Sequence, residues 1–363
     1  MTALVRRQFA AATAGDRGAF LAAWAARSAA RQQAAVLYAN LRALHVDARE
    51  PRVPSDSRAS GAAGWVADVD VRWRPSGCDP AFSDAALRFR FSQQDGRARI
   101  TAVEARPGAR TPVWLLPHLV VHRTPHTLVA AGGTDTAARV SRLLTIARAD
   151  VKDVLPAWRG SLVAYAPATA GAFRALLAAG PHDDDGIAAV TTTVDGSAAG
   201  GAAVAIVLNP GAFGRLGPVG AHVVVTHEAT HVATQATTTP LPVWLAEGFA
   251  DYVGIGAAHV SLELATRAAV GSVRHDGVPS ALPSDADFAA ATGPALEAAY
   301  EEAYLATRLI SQRYGRAALV SFYDWVRMHP GRSALAFPTV LHVSRSRFTA
   351  EWQARLGGLA RAA

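Results

Sequence analysis

The sequence predicts an α+β protein with two domains that meet near residue 110. The chain has 363 residues, half of them hydrophobic and 18% charged, which is too much apolar material for a disordered protein. Apolar residues recur first at helical spacing, then in strict alternation, and then in segments that alternate between the two patterns. From Pro218 onward the pattern is helical throughout. Helices with a meander, followed by a mixed sheet and a helical half, therefore define the predicted fold class.

The first predicted domain, residues 1–110, consists of helices followed by an antiparallel meander. Helical spacing covers residues 3–46, with a break at Gly15 and Asp16, and a loop rich in proline and serine follows. Strand-like alternation then appears at residues 65–73, at residues 87–91 and around Ile100 and Val103, with a hairpin turn at residues 95–96. This pattern resembles the cone-shaped NTF2-like fold, which implies an accessory module.

The second predicted domain, residues 111–363, follows a boundary segment at residues 105–112 that contains two prolines and a glycine. Strands and helices alternate in its first part. The predicted strands are 127–131, 161–166, 187–194 and 203–209, and the predicted helices between them are 135–155 and 169–179. This layout predicts a small lobe with a mixed sheet, followed by a helical lobe, with a cleft between the lobes.

Residues 227–231 read His-Glu-Ala-Thr-His, which is the pattern H-E-x-x-H. Residues four apart share one face of a helix, so His227 and His231 can bind one zinc ion. Glu228 would face the side where a metal-bound water sits, and it can serve there as general base and then as general acid. Because Cys78 is the single cysteine, a disulfide framework and a cysteine zinc cluster are excluded.

The helix that must carry this motif contains four consecutive β-branched residues, 223–226, which favour a strand. Its length argues for a helix instead. Pro218 can occupy the first turn, and one continuous face then extends for about four turns to Thr234. We therefore predict a helix that ends before residues 237–240. His222 lies off the histidine face, and the sequence assigns it no role.

A second helix, predicted for residues 243–254, follows after a short loop and contains Glu247. An antiparallel partner helix can present this carboxylate to the same metal, which completes a His-His-Glu set and leaves a fourth position for water. Asp251 lies four residues later on the same face. We expect it to accept the free ring N–H of a ligand histidine, His227 in the first place, and so to fix the tautomer of that ring.

These residues, together with the phrase W-L-A-E-G-F-A-D-Y at residues 244–252, resemble the gluzincin metallopeptidases, the thermolysin-like and M1-aminopeptidase-like group of the peptidase MA clan. With the NTF2-like module, the chain is similar to uncharacterised actinobacterial proteins. The resemblance implies a zinc ion and hydrolysis of peptide bonds in a peptide or protein substrate. It also implies that residues 203–209 form the edge strand on which an extended peptide lies.

Tyr300 resembles the tyrosine that opens the corresponding helix in M1-like enzymes and donates a hydrogen bond to the tetrahedral oxyanion. The sequence departs from that group at Glu302 and Ala303, where lysine and glycine are usual. Tyr304, one turn further on, is a rival for the same role, and packing is the alternative role for both tyrosines. A strand resembling Gly-x-Met-Glu-Asn, which would hold a substrate N-terminus in an aminopeptidase, is absent from the sequence, so the sequence does not support exopeptidase action.

Charge and hydropathy restrict the classes of partner that the sequence predicts. Residues 1–160 have a net charge of +10 and residues 161–363 a net charge of −3, so the basic excess lies outside the predicted site. The arginines alternate along predicted strands, which is typical of a solvated sheet face, and nucleic-acid binding is not predicted. A run of about 18 apolar residues is also absent, so no transmembrane segment is predicted.

Localisation and oligomeric state stay open at this point. Residues 1–14 lack the uninterrupted apolar core of a signal peptide, whereas the resemblance favours an exported or cell-envelope protein. The leading hypothesis is a zinc-dependent endopeptidase or a related metallohydrolase. The alternative is an envelope-associated binding protein in which the zinc site is structural or vestigial. Glu228 argues for the enzyme, because a structural site has no use for an uncoordinated carboxylate, and access of water to Glu228 distinguishes the two hypotheses.

Overall fold

The computed structural model describes residues 2–52, 64–78, 81–180, 186–198, 201–290 and 293–363. The protein is a mixed α and β structure, and its described residues form two sheets. It folds as two compact units. The first unit comprises residues 1–142 and 160–215, and the second comprises residues 143–159 and 216–363.

The first unit begins with three helices and a four-stranded antiparallel sheet. The helices are α1 (Thr2–Ala14), α2 (Arg17–Ala22) and α3 (Ser28–Ala43), and the strands are β1 (Val46–Arg52), β2 (Trp65–Pro75), β3 (Ser83–Gln94) and β4 (Arg97–Ala105), paired in chain order. The predicted turn between β3 and β4 is confirmed, since Asp95 and Gly96 both have positive φ, 50° and 70°. Strand β1 was not predicted from the sequence, because its Val-Asp-Ala-Arg-Glu-Pro-Arg pattern is polar and contains a proline.

The second sheet of the first unit has five strands in the order β5-β6-β7-β9-β8. Its strands are β5 (Val120–Arg123), β6 (Thr127–Ala131), β7 (Leu162–Ala166), β8 (Ala189–Thr193) and β9 (Val204–Leu208), and the helices that follow or connect them are α4 (Thr134–Val154), α5 (Ala170–Leu177) and α6 (Pro210–Gly214). Strands β6, β7 and β9 are parallel, whereas β5 and β8 are antiparallel to their neighbours. The sheet is therefore mixed, as predicted.

The expectation that residues 203–209 form an edge strand is wrong. Strand β9 lies between β7 and β8, and β8 is the edge. The reason is visible in the side chains, because β9 is an almost uninterrupted apolar run that is buried from Ala205 to Leu208. Strand β8 contains three consecutive threonines, and its middle residues are only partly buried.

The hydrophobic core of the first unit continues across residue 110. The Trp114 ring lies edge-on to that of Trp73 with centroids 6.0 Å apart, and both side chains belong to one buried cluster that extends from Val5 to Val207. Asn40 donates from its side-chain amide to the carbonyls of Trp114 and Leu116, at 3.2 and 2.6 Å. The two compact units thus divide the chain at other positions than residue 110, and an accessory domain of residues 1–110 stays a prediction.

The second unit is helical over its described residues, as the sequence predicts from Pro218 onward. It contains the second half of α4 and the helices α7 (Pro218–Thr234), α8 (Val243–Ala257), α9 (Arg267–Asp276), α10 (Asp285–Ala290), α11 (Pro294–Tyr314), α12 (Arg316–Met328), α13 (Ser333–Val340) and α14 (Arg345–Ala362). Helix α8 packs against both α7 and α11. Among the described residues, no helix is long and apolar enough to cross a membrane.

Candidate metal centre

Helix α7 forms despite its β-branched residues because the residues at its two ends suit a helix start and a helix end, and a polar group on its buried face has a hydrogen-bond partner. Pro218 occupies the first turn, where its missing N–H removes no helical hydrogen bond. Gln235 adopts a left-handed conformation after the last turn and ends the helix with hydrogen bonds to the carbonyls of His231 and Val232. On the buried face, Thr230 donates its hydroxyl to the carbonyl of Thr226 at 2.8 Å, so this hydroxyl is buried without losing its partner.

The side chains of His227, His231 and Glu247 converge on one point between α7 and α8. The Nε2 atoms of His227 and His231 are 2.9 Å apart. Oε2 of Glu247 lies 3.2 Å from Nε2 of His227 and 3.4 Å from Nε2 of His231. Two ligand atoms of a tetrahedral zinc ion, with bonds of about 2.0–2.1 Å, are about 3.3 Å apart. The three side chains could therefore hold one metal ion without rearrangement of the helices.

Asp251 lies behind this set and orients one of the imidazoles. Nδ1 of His227 donates to Oδ1 of Asp251 at 2.8 Å, which leaves Nε2 directed toward His231 and Glu247. Burial lowers the pKa of His227, but the carboxylates of Asp251 and Glu247 outweigh it and raise this pKa well above its ordinary value. Burial raises the pKa of Glu247, but the hydrogen bonds from His227 and His231 outweigh burial and hold this pKa well below its ordinary value. Glu247 is therefore ionised at neutral pH.

Two glycines of α8 allow the close helix contacts on which the site depends. A Cβ atom on Gly254 would lie 2.8 Å from the carbonyl oxygen of Val223 and 3.3 Å from the backbone nitrogen of His227. A Cβ atom on Gly248, next to Glu247, would collide with the carbonyl oxygen of Ala303 on α11. Only glycine permits both approaches. The sequence reasoning missed this role, although both glycines stand beside or within the phrase that carries the resemblance.

Glu228 is buried beside the ligands, with 7% of its surface exposed. Its charge is close enough to the phenol of Tyr300 to help raise the pKa of that group, together with Glu247 and Asp251 and after the larger effect of burial. The phenol therefore stays protonated and able to donate a hydrogen bond at neutral pH. The carboxylates of Glu228 and Glu247 thus both act on the phenol of Tyr300.

The two rival tyrosines of α11 have different surroundings. Tyr300 is half-buried and its ring lies edge-on to that of Phe288, with centroids 5.2 Å apart. Tyr304 is buried, and the groups that act on its pKa after burial are Arg308, Asp251 and Tyr252. Three carboxylates of the site act on the pKa of Tyr300, whereas Asp251 is the one of the three that acts on the pKa of Tyr304, and this difference favours Tyr300 for the predicted role.

His222, to which the sequence assigned no role, joins α7 to α4. Its Nε2 lies 2.7 Å from Oδ2 of Asp150, and the same oxygen accepts from the hydroxyl of Thr226 at 3.3 Å. Thr226 directly precedes His227 in the chain. This network ties the motif helix to α4. The sequence could not reveal it, because Asp150 is 72 residues away from His222 and belongs to an otherwise ordinary amphipathic helix.

A comparison with known proteins returns no match: neither a protein family model, nor a curated protein, nor a solved structure resembles the chain closely enough to be counted. The geometry described above therefore carries the functional argument. That geometry unites the three predicted ligands, His227, His231 and Glu247, and places Asp251 in hydrogen-bond contact with the first of them.

Proposed function

We propose that the protein is a zinc-dependent metallohydrolase, in the first place an endopeptidase, built from a gluzincin-type domain behind an NTF2-like module. The convergence of His227, His231 and Glu247 on one point carries this proposal. The neighbouring Glu228 supports catalysis over a structural role, because a purely structural zinc site is closed by four protein ligands. Two imidazoles and one carboxylate are the donor set of catalytic zinc sites of this type.

Each side chain then has a distinct task. A bound zinc ion would supply Lewis acidity and lower the pKa of a water molecule to about 7. Glu228 would take the proton of the attacking water and deliver it to the leaving amine. Asp251 would keep the proton of His227 on Nδ1, so that Nε2 remains a ligand atom. Tyr300 would donate its hydroxyl to the oxyanion that forms from the scissile carbonyl.

The variant Glu228→Gln tests the proposal, because it keeps the size of the side chain and removes its basicity. We expect it to retain about one zinc ion per chain and to lose cleavage of a peptide library by a factor of 10³ or more relative to wild type. Glu263→Gln, at an exposed carboxylate of the same unit, serves as the control and should cleave normally. Full hydrolytic activity of Glu228→Gln would refute the assignment.

The burial of Glu228 favours a second candidate, an envelope-associated binding protein with a structural or vestigial zinc site. A general base must meet a water molecule, and only 7% of Glu228 is exposed. The side chains of His231 and Glu247 nevertheless keep 11% and 20% of their surface accessible. The same digest decides between the two candidates: zinc-loaded wild type that cleaves no peptide supports the binding protein.

A further inference from the structure

Helices α8 and α11 pack side by side and run in the same direction. The hydroxyl of Thr307 donates to the carbonyl of Gly248 at 2.7 Å. One turn further along both helices, the hydroxyls of Tyr252 and Ser311 are 2.8 Å apart. Both contacts join residues that are 59 positions apart, so Val243, the first residue of α8, lies beside the part of α11 near residue 302. The start of α8 therefore lies beside the third turn of α11.

The short helix α10 connects the start of α8 to Tyr300. The side chain of Asp285, its first residue, accepts from the backbone N–H of Val243 at 2.8 Å, so α10 is attached to the first residue of α8. About one turn later, the ring of Phe288 lies edge-on to that of Tyr300, with centroids 5.2 Å apart and planes at 89°. Helix α10 thus contacts both α8, which carries Glu247, and α11, which carries the phenol.

Helix α10 is itself held in place, although a helix this short is unstable in isolation. Leu282, just before it, is buried. The backbone N–H and the hydroxyl of Ser284 both donate to the carboxylate of Asp287, at 2.7 and 2.8 Å, which resembles a capping box at the first turn. The ring of Phe288 therefore stands on an element that is anchored before its first turn, within that turn and on α8.

The direction of the Tyr300 phenol depends on packing. Within the described part of the chain its hydroxyl makes no hydrogen bond, and its half-buried ring contacts that of Phe288. An edge-to-face contact between two rings is attractive beyond the area that it buries. A donor to an oxyanion is effective when it already points at the position where the charge develops. The contact with Phe288 would supply this orientation before the substrate arrives.

We propose that Phe288 is a positioning residue, whose ring holds the phenol of Tyr300 in the direction of the metal site, and that α10 sets the place of this ring relative to α8. The effect on catalysis rests on the proposed function. The ordering of the Tyr300 ring does not, since it follows from the contacts of Phe288 and Asp285 alone. Ordering and catalysis are therefore tested separately.

The ordering test is fluorine NMR of the metal-free full chain labelled with 3-fluorotyrosine. The chain has 7 tyrosines, and the resonance of Tyr300 is the one that Tyr300→Phe lacks. We expect this resonance to be narrower, and closer to that of free 3-fluorotyrosine, in Phe288→Ala than in wild type, because the ring gains freedom. Phe288→Leu, which keeps an apolar side chain without a ring, should act in the same way and replaces Phe288→Ala if that variant does not fold. Ala289→Ser, at an exposed position of α10, is the matched control and should leave the resonance unchanged. A resonance with wild-type width and position in the Phe288 variants overturns the proposal.

The catalysis test is a double-mutant cycle on one cleaved peptide. Phe288→Ala should lower kcat by about tenfold with KM and zinc content unchanged, and Phe288→Tyr, which keeps the ring, should restore kcat. In the Tyr300→Phe background, where the phenol is already absent, Phe288→Ala should lower kcat by less than about twofold. An equal loss in the two backgrounds refutes the link to Tyr300. If wild type cleaves no peptide, the proposed function fails, while the fluorine spectra still decide whether Phe288 orders the ring.

Discussion

At the residue scale, carboxylates contact ring nitrogens of the histidine pair, His227 and His231. Glu247 contacts the Nε2 atoms of His227 and His231, and Asp251 accepts from Nδ1 of His227. The spacing of H-E-x-x-H and the later E-x-x-x-D made these contacts predictable, because helical periodicity alone places the residues on facing surfaces. The role of His222 was not predictable in this way. Its partner Asp150 belongs to a helix that is distant in sequence, and such packing leaves no local pattern.

Asp251→Asn should weaken zinc binding by about 10- to 100-fold, because it removes the carboxylate that orients His227. The raised pKa of His227 also gives a pH prediction. Its proton stabilises the folded metal-free protein below the unfolded pKa near 6.5, and this contribution is lost as the pH rises through the raised pKa. Zinc requires the neutral ring, so its binding should strengthen with rising pH and release this proton.

Calorimetry in two buffers of different ionisation enthalpy measures that proton. Zinc binding at pH 7 should release more protons from wild type than from Asp251→Asn, in which the pKa of His227 falls. Equal proton release and equal zinc affinity in the two proteins would show that Asp251 does not control this ring.

Tyr300→Phe should lower kcat by about 10²- to 10³-fold with little change in KM, as expected for a group that donates only in the transition state. Tyr304→Phe is the matched control on the same helix, and it should keep most of the activity. Steady-state kinetics on one cleaved peptide measures both. A larger loss of kcat in Tyr304→Phe than in Tyr300→Phe would show that Tyr304, and not Tyr300, donates to the oxyanion.

At the element scale, close approach of helices decides where the ligands lie. The sequence predicted nearly every helix and strand of residues 127–257, because apolar periodicity and proline positions are strong there. It misplaced the sheet edge, since strand order depends on which strand buries both faces. The threonines of β8, set against the apolar run of β9, are the signal that could have shown it.

Gly254→Ala should destabilise the protein by about 1–3 kcal/mol, because its Cβ would collide with the carbonyl of Val223 in α7. Zinc affinity should fall with it, since the same contact adjoins His227. Gly256→Ala is the control on the same helix: its Cβ meets open space, so it should be neutral or stabilising by up to about 1 kcal/mol. Urea unfolding and zinc titration measure both effects. Gly254→Ala as stable as Gly256→Ala would show that the helix contact is not tight.

At the scale of the whole molecule, the composition and the succession of patterns sufficed to predict a mixed fold with a helical second half. They did not predict that one hydrophobic core includes residues on both sides of residue 110. The side chains of Trp73 and Trp114 are buried together although the sequence placed a boundary between them. Proline and glycine at residues 105–112 mark a connection between two sheets, and a connection between sheets need not be the end of a core.

A fragment that begins at residue 111 should therefore fold poorly. It would expose Trp114, which packs edge-on against Phe9 and Trp73 with centroids 5.9 and 6.0 Å away. We expect low solubility and no cooperative thermal transition, with the full chain as reference. A soluble fragment that unfolds cooperatively and binds zinc would instead establish residues 111–363 as an independent domain.

The central claim is that hydrolysis depends on one zinc ion held by His227, His231 and Glu247. It is tested most directly by the rate of peptide-library cleavage as zinc is added back to the metal-free full-length protein. The rate should be negligible without zinc, rise in proportion to bound zinc, and reach its maximum at about one ion per chain. Cleavage that does not depend on zinc, or its absence at full zinc occupancy, would contradict the claim.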